Sequence, residues 1–188
     1  MQPLIVLNVV GLTPRHLGPL TPRLSAFAQR GGMREMQTTF PAVTCTTQAS
    51  FMTGLPPDQT GIVANGWYFR DLAEIGFWKQ SNALVRGERL YQAARQRNPR
   101  HTTAKMFWWF NMYSTADYSI TPRPMYPADG RKLFDIYSWP YSIRPEIKRD
   151  LGEFPFATFW GPAAGRQSPA GAPDAASRWI AASAKWIE

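Results

Sequence analysis

Strands alternating with helices predict an α/β fold, a mostly parallel sheet flanked by helices. Three observations carry that expectation. Residues 3–10 form a nearly continuous Leu/Ile/Val run, the pattern of a central strand covered on both faces. Thr21-Pro22 then supplies a helix N-cap with a first-turn proline, and Leu24, Phe27 and Ala28 follow at helical spacing up to Gly31-Gly32. A second, weaker strand over residues 33–40 leads into a cluster of small hydroxyl residues that opens another helical turn.

Later elements continue the alternation. Residues 61–65, Gly-Ile-Val-Ala-Asn, read as a short strand or turn after the Pro56-Pro57-Asp58 loop. Trp67, Tyr68, Phe69, Phe77 and Trp78 fall in an irregular segment suited to a pocket wall. Residues 88–98 are expected to be helical and residues 102–108 to form a strand. Beyond that come Pro122, Pro124, Pro127 and the Asp129-Gly130 turn signal, so residues 110–173 read as an insertion or cap. Residues 143–151 and 174–187 read as helices, with a Pro/Gly/Ala/Ser loop over 161–173 between them. The last helix runs out at Trp186-Ile187-Glu188 without a glycine or proline stop. An α/β alternation would feed a further strand there, so residues 1–188 are expected to be the N-terminal part of a single, incomplete domain.

Composition bounds the function classes. Hydrophobic content of 44% and aromatic content of 14% fit a packed chain and exclude a disordered one. The excess of 21 Lys+Arg over 13 Asp+Glu gives a formal charge of +8, which favours anionic partners. No run of consecutive basic residues marks a nucleic-acid tail. The longest apolar stretch, residues 4–12, is broken by Asn8 and is too short to span a bilayer, so no membrane partner is expected. The single cysteine, Cys45, excludes an internal disulfide. A cytoplasmic location is expected from these signs together.

The chemistry concentrates at Thr44-Cys45-Thr46-Thr47, where a strand reading gives way to a helix reading. A helix N-terminus gathers unpaired N–H groups and partial positive charge, which suits a phosphate oxygen. The bland alternative is an ordinary N-cap in which Thr46 or Thr47 satisfies orphan amides and nothing reacts. A threonine hydroxyl attacks only when a base or a metal lowers its pKa. With His16 and His101 the only histidines, a histidine-based triad has few candidates. Cys45 is a rival nucleophile. A cysteine phosphatase would need an arginine six positions on, and that position is Phe51.

Five blocks in order then resemble a known family: residues 5–14 (Ile-Val-Leu-Asn-Val-Val-Gly-Leu-Thr-Pro), Thr21-Pro22-Arg23-Leu24 with Phe27-Ala28, residues 40–44 (Phe-Pro-Ala-Val-Thr), residues 52–57 (Met-Thr-Gly-Leu-Pro-Pro) and residues 61–65. The pattern resembles the alkaline phosphatase superfamily, in its type I phosphodiesterase/nucleotide pyrophosphatase branch. The resemblance implies an alkaline-phosphatase-like fold and a metal-dependent hydrolase of phosphodiester or pyrophosphate bonds. It places the nucleophile on Thr44, which would form a covalent phospho-threonine while sitting on one of two divalent metals, zinc being the common choice. Thr47, Asn65, Trp67 and Tyr68 are the implied substrate contacts, for a phosphorylated small molecule such as a nucleotide.

Two positions depart from the family pattern. Its first-strand metal-binding aspartate falls on Val10, with Asn8 on the same strand face as a weak neutral substitute, and its histidine before Gly61 is Thr60. The family's remaining aspartate and histidine ligands lie further on than this chain reaches, so the chain alone is expected to be inactive. Two other classes stand beside this reading: a non-catalytic pseudo-hydrolase that binds a phosphorylated ligand, and a basic, aromatic-rich nucleic-acid binder.

Overall fold

The computed structural model describes residues 3–160 and 174–188. They fall into two units, one ending at Gln37 and the other spanning Thr38–Glu188. In the first, a single 3-10 turn at Pro14–His16 precedes helix α1, Pro22–Gly31. The Thr21 hydroxyl donates to His16 O at 2.5 Å, and Gly18 N–H donates to Ser25 Oγ at 2.9 Å, which fixes the entry to α1. His16 receives the Thr13 N–H on Nδ1 at 3.0 Å and is exposed, so it acts as a local cap.

The apolar run at 3–10 and the segment at 33–40 are extended in sequence pattern, yet neither pairs with a strand among the described residues. Leu4 is 85% exposed and Val10 84%. The expected first and second strands are therefore absent here, for a physical reason. An apolar pattern encodes suitability for a sandwiched position, but a strand forms only where a neighbour accepts its N–H groups.

The second unit begins with α2, Thr44–Thr53, and α3, Pro57–Thr60. Gly54 closes α2 in the left-handed region at φ 71°, with its N–H on Ser50 O at 2.7 Å, a conformation glycine adopts without the Cβ clash. Next come β1, Gly66–Phe69, and β2, Glu74–Phe77, an antiparallel ribbon pairing Gly66 with Phe77 and Tyr68 with Ile75. A Cβ on Gly66 would lie 2.3 Å from the Phe77 ring, so this close cross-strand packing requires glycine. The segment read as irregular from sequence is thus a hairpin, and residues 61–65 are the turn leading into it.

Helix α4, Leu90–Arg97, leads to β3, Ala104–Met106, followed by β4, Tyr118–Pro122, and β5, Ile136–Trp139. These three form one sheet in that order, with β3 parallel to β4 and β4 antiparallel to β5. Helices α5, Ile143–Leu151, α6, Phe156–Trp160, and α7, Ala175–Trp186, complete the unit. The mixed α/β class expected from the sequence is therefore present. The stretch read as an insertion carries β4, β5, α5 and α6, and its 161–173 loop lies outside the described residues. No helix among the described residues is long and apolar enough to cross a membrane.

Register assigns the faces of the three-stranded sheet. Met106, Ile120 and Ile136 belong to one face, packed with Ile143 and Ile147 of α5 and Ala176 of α7. On the other face stand Lys105, Ser119 and Thr121, all buried. A second core forms around α2: Cys45, Ala49, Ile62, Val85, Trp109 and Phe110. Trp78 and Trp160 pack beside it, with Trp78 edge-on to both Trp109 and Trp160 at 5.2 and 4.8 Å. Much of the tryptophan content thus serves the core.

Ile147 is 1% exposed at the centre of the α5 face. Ile147→Ala is expected to cost about 2–5 kcal/mol through lost transfer energy and the cavity left behind, measured as a lower urea midpoint at unchanged slope.

Candidate functional site

Helix α2 starts without a side-chain cap. Its N-cap residue is Val43, extended at φ −116° and ψ 159°, and valine carries no acceptor for the first-turn amides. One of those amides is satisfied from afar: Cys45 N–H donates to Asn65 Oδ1 at 2.9 Å across 20 residues of sequence. Thr47 N–H makes the first helical bond, to Val43 O at 2.9 Å. Among the described residues the N–H groups of Thr44 and Thr46 meet no acceptor. The helix macrodipole adds partial positive charge at the same end.

The Asn65 contact settles how its carboxamide is turned. A backbone N–H requires an oxygen, so Oδ1 faces Cys45 and the NH₂ is left as a donor beside the first turn. Thr44, at the first helical position, is half-buried, and its hydroxyl has no hydrogen-bond partner among the described residues. Thr47, one turn along, shares a hydrogen bond with Thr39 Oγ1 at 3.2 Å. Thr46 is fully buried, and its hydroxyl is unpartnered. The junction is thus an unneutralised set of donors around one free hydroxyl, an arrangement suited to an anion.

The other sequence-derived residues are placed differently. Trp67 is half-buried and packs on the core that contains Cys45, with Phe69 at 5.0 Å. Tyr68 alternates to the opposite face of the hairpin and is exposed beside Ile75. Thr44, Thr47 and Asn65 therefore gather at one helix end, whereas Trp67 and Tyr68 face apart. Asn8 lies in the first unit, in the unpaired 3–10 segment, and is exposed.

Cys45 is 1% exposed, and burial pushes its thiol up to about 12. A thiol kept protonated at neutral pH is no nucleophile, so Cys45 belongs to the packing of α2.

The metal donors at this junction are hydroxyls and one amide. No group of three or more His, Cys, Asp or Glu able to hold a metal exists among the described residues. Zinc takes imidazole, thiolate and carboxylate ligands in sets of three or four. The two-zinc centre that the resemblance implies therefore does not fit the residues brought together here.

Behind α2 lies a set of polar residues for which the sequence gives little signal. Gln48, on α2, accepts the Trp109 N–H at 2.7 Å, and Gln80 accepts the Phe110 N–H at 3.1 Å. Lys105 is 3% exposed and donates to Phe110 O at 3.2 Å. A charged residue inside the apolar 102–108 run is the one available clue.

The family model described as Type I phosphodiesterase / nucleotide pyrophosphatase matches residues 4–183. No curated protein and no solved structure matches the chain.

The buried, protonated thiol predicts its own chemistry. In native protein at pH 8, Cys45 is expected to resist a thiol-specific disulfide reagent for hours and to react within minutes in denaturant. Rapid native labelling would contradict the placement of Cys45 in the core.

Proposed function

This chain belongs to the type I phosphodiesterase/nucleotide pyrophosphatase family, and from that premise we propose that it serves hydrolysis of a phosphodiester or pyrophosphate bond in a nucleotide-like substrate. The single observation that carries the site assignment is the 2.9 Å bond from Cys45 N–H to Asn65 Oδ1. It brings a carboxamide donor to the same helix end as the free Thr44 hydroxyl and the unpaired amides of Thr44 and Thr46.

Each group then has a role. The Thr44 and Thr46 amides and the Asn65 NH₂ bind nonbridging phosphate oxygens and stabilise the charge that grows on them in the transition state. Thr44 Oγ1 attacks phosphorus: its bond to phosphorus forms, the bond to the leaving oxygen breaks, and the hydroxyl proton passes through solvent to that leaving oxygen. Water then cleaves the phospho-threonine by the reverse geometry. A threonine hydroxyl at its ordinary pKa is a weak nucleophile, and its activation is what the described residues do not supply. The divalent ions expected from the resemblance would need ligands other than those gathered at the junction. Trp67 and Tyr68 are proposed contacts for the leaving group or base, on the strength of their ring area alone.

A second reading is favoured by the ligand deficit and by Val10 at the family's aspartate position: a pseudo-hydrolase that holds a phosphorylated ligand at the same helix end without turning it over.

The two readings part in one experiment. Where the parent protein turns over bis(p-nitrophenyl) phosphate with a divalent metal present, Thr44→Ala is expected to lower kcat/KM by at least about 10³-fold, while Thr44→Ser keeps most of the activity. An unchanged rate for Thr44→Ala removes the nucleophile. Absence of turnover in the parent, combined with saturable binding of thymidine 5′-monophosphate by calorimetry, establishes the pseudo-hydrolase instead.

A further inference from the structure

Lys105 is a buried amine with no carboxylate beside it among the described residues. It stands on β3 with its side chain on the sheet face that carries Ser119 and Thr121. Its Nζ donates to Phe110 O at 3.2 Å and lies 5.3 Å from the centre of the Tyr91 ring on α4. None of the salt bridges among the described residues includes it. A cavity of about 10 Å³ next to it is walled by Gln48 and Met52 of α2, Asn82, Arg89, Trp109 and Phe110, space for one water at most.

The charged and titratable groups facing it are Arg89 and Tyr91. Arg89 donates to the carbonyls of Asn82, Val85 and Gly87 at 2.5, 2.7 and 2.6 Å, so its positive charge is held nearby by neutral partners. Burial and the Arg89 charge together lower the Lys105 amine to about 7. Burial raises the Tyr91 phenol, which therefore offers no anion. From α2, the 82–84 turn and β4 come only the neutral groups Gln48, Asn82 and Ser119.

The segment that Lys105 holds is strained. Phe107 and Phe110 sit at φ 60° and 57°, and Tyr113 at 61°, left-handed values that are strained for a bulky residue. Three buried side chains over-determine this loop: Gln48 on the Trp109 N–H, Gln80 on the Phe110 N–H and Lys105 on the Phe110 carbonyl. Gln48 lies one turn beyond Thr44 on the same helix, so the loop and α2 hold each other in place.

We infer that Lys105 is a protonation-sensitive latch on the 107–111 loop, closed while its amine is neutral and loosened when the amine takes up a proton, and that it positions α2 through the Gln48–Trp109 bond. A neutral amine still donates to Phe110 O and needs no counter-ion. The ammonium has no carboxylate to meet and faces Arg89, so it draws in water at the cost of the loop's bonds. The sign follows. The folded amine titrates below the unfolded value of about 10.5. Between about 7 and about 10.5 the loosened state binds a proton that the latched state does not, so the latch strengthens as pH rises through that window and is weakest, and level, below about 7. The consequence for Thr44 rests on the nucleophile reading; the latch does not.

The test reads the latch directly on the full chain. Lys79, Lys105, Lys132, Lys148 and Lys185 are the lysines. With ¹³C-labelled lysine, one Cε resonance is expected to titrate near neutral pH, and that resonance should be missing from Lys105→Met. Hydrogen-exchange protection factors of the Trp109 and Phe110 amides should fall about tenfold between pH 8 and pH 6, with the α5 amides unchanged. In Lys105→Met that step should vanish. No lysine Cε resonance titrating near neutral pH, flat protection factors in the parent, or the same step in Lys105→Met would each overturn the inference. If Lys105→Met does not fold, the two parent measurements decide alone. Thr44→Ala should keep the step whatever it does to turnover, so failure of the nucleophile and failure of the latch are told apart.

Discussion

The hydrogen bond from Cys45 N–H to Asn65 Oδ1 is the constraint on which the candidate site depends. Helix α2 follows a valine and has no cap of its own, so one first-turn amide is satisfied by a side chain that arrives only after α3 and the 61–65 turn have folded back. A local serine or aspartate cap would satisfy the same amide but would occupy the space in front of the helix. A distant carboxamide leaves that space open and adds a donor. The Gly54 terminus of α2 and the left-handed Gly61 make the reversal that returns the chain. The geometry of the junction is thus set by tertiary packing, and its openness by the absence of a local cap.

The helices were largely legible in the sequence because their signals are local. Thr21-Pro22 and Gly31-Gly32 bracket α1, and Ile143–Leu151 has the boundaries its periodicity predicts. The strands were less so. Residues 3–10 have the strongest strand pattern in the chain and no ladder partner among the described residues, whereas the weaker Gly66–Phe69 and Glu74–Phe77 segments pair with each other. Burial patterns can be read in one segment; pairing is a property of two. At the site, Thr44 and Asn65 came from block order and are brought to one helix end. Tyr68 shows the limit of that reasoning, because a two-residue period puts it on the opposite face from Trp67 and the sequence alone does not say which face meets the core.

The chemistry of the junction is asymmetric. Its electrophilic half is well supplied: unpaired amides, a carboxamide donor and a helix dipole converge beside Thr44. Its basic half is bare, since no carboxylate or imidazole cluster accompanies the hydroxyl among the described residues. Binding a phosphate oxygen needs only the first half. Breaking a phosphoester also needs the second, because an alcohol must lose its proton to become a nucleophile. The proposed anion-binding role and the proposed nucleophilic role of this helix end are therefore separable, and only the second depends on groups beyond it.

A buried lysine behind that helix is costly, and what it holds gives the reason it is tolerated. Asn111, fully buried, donates to Lys105 O at 3.2 Å and leaves its own carbonyl unpartnered, as Ser119 and Thr121 leave their hydroxyls. Such a half-satisfied polar layer is a poor way to gain stability; an apolar layer of equal volume would do better. Yet a leucine at 105 could not hold the Phe110 carbonyl, and the left-handed Phe107 and Phe110 would then relax toward ordinary backbone angles. Relaxation would shift Trp109, whose N–H is fixed by Gln48 on α2 and whose ring lies in the core around Cys45. The polar layer thus trades folding energy for the position of one helix. That helix is the one whose first turn carries Thr44.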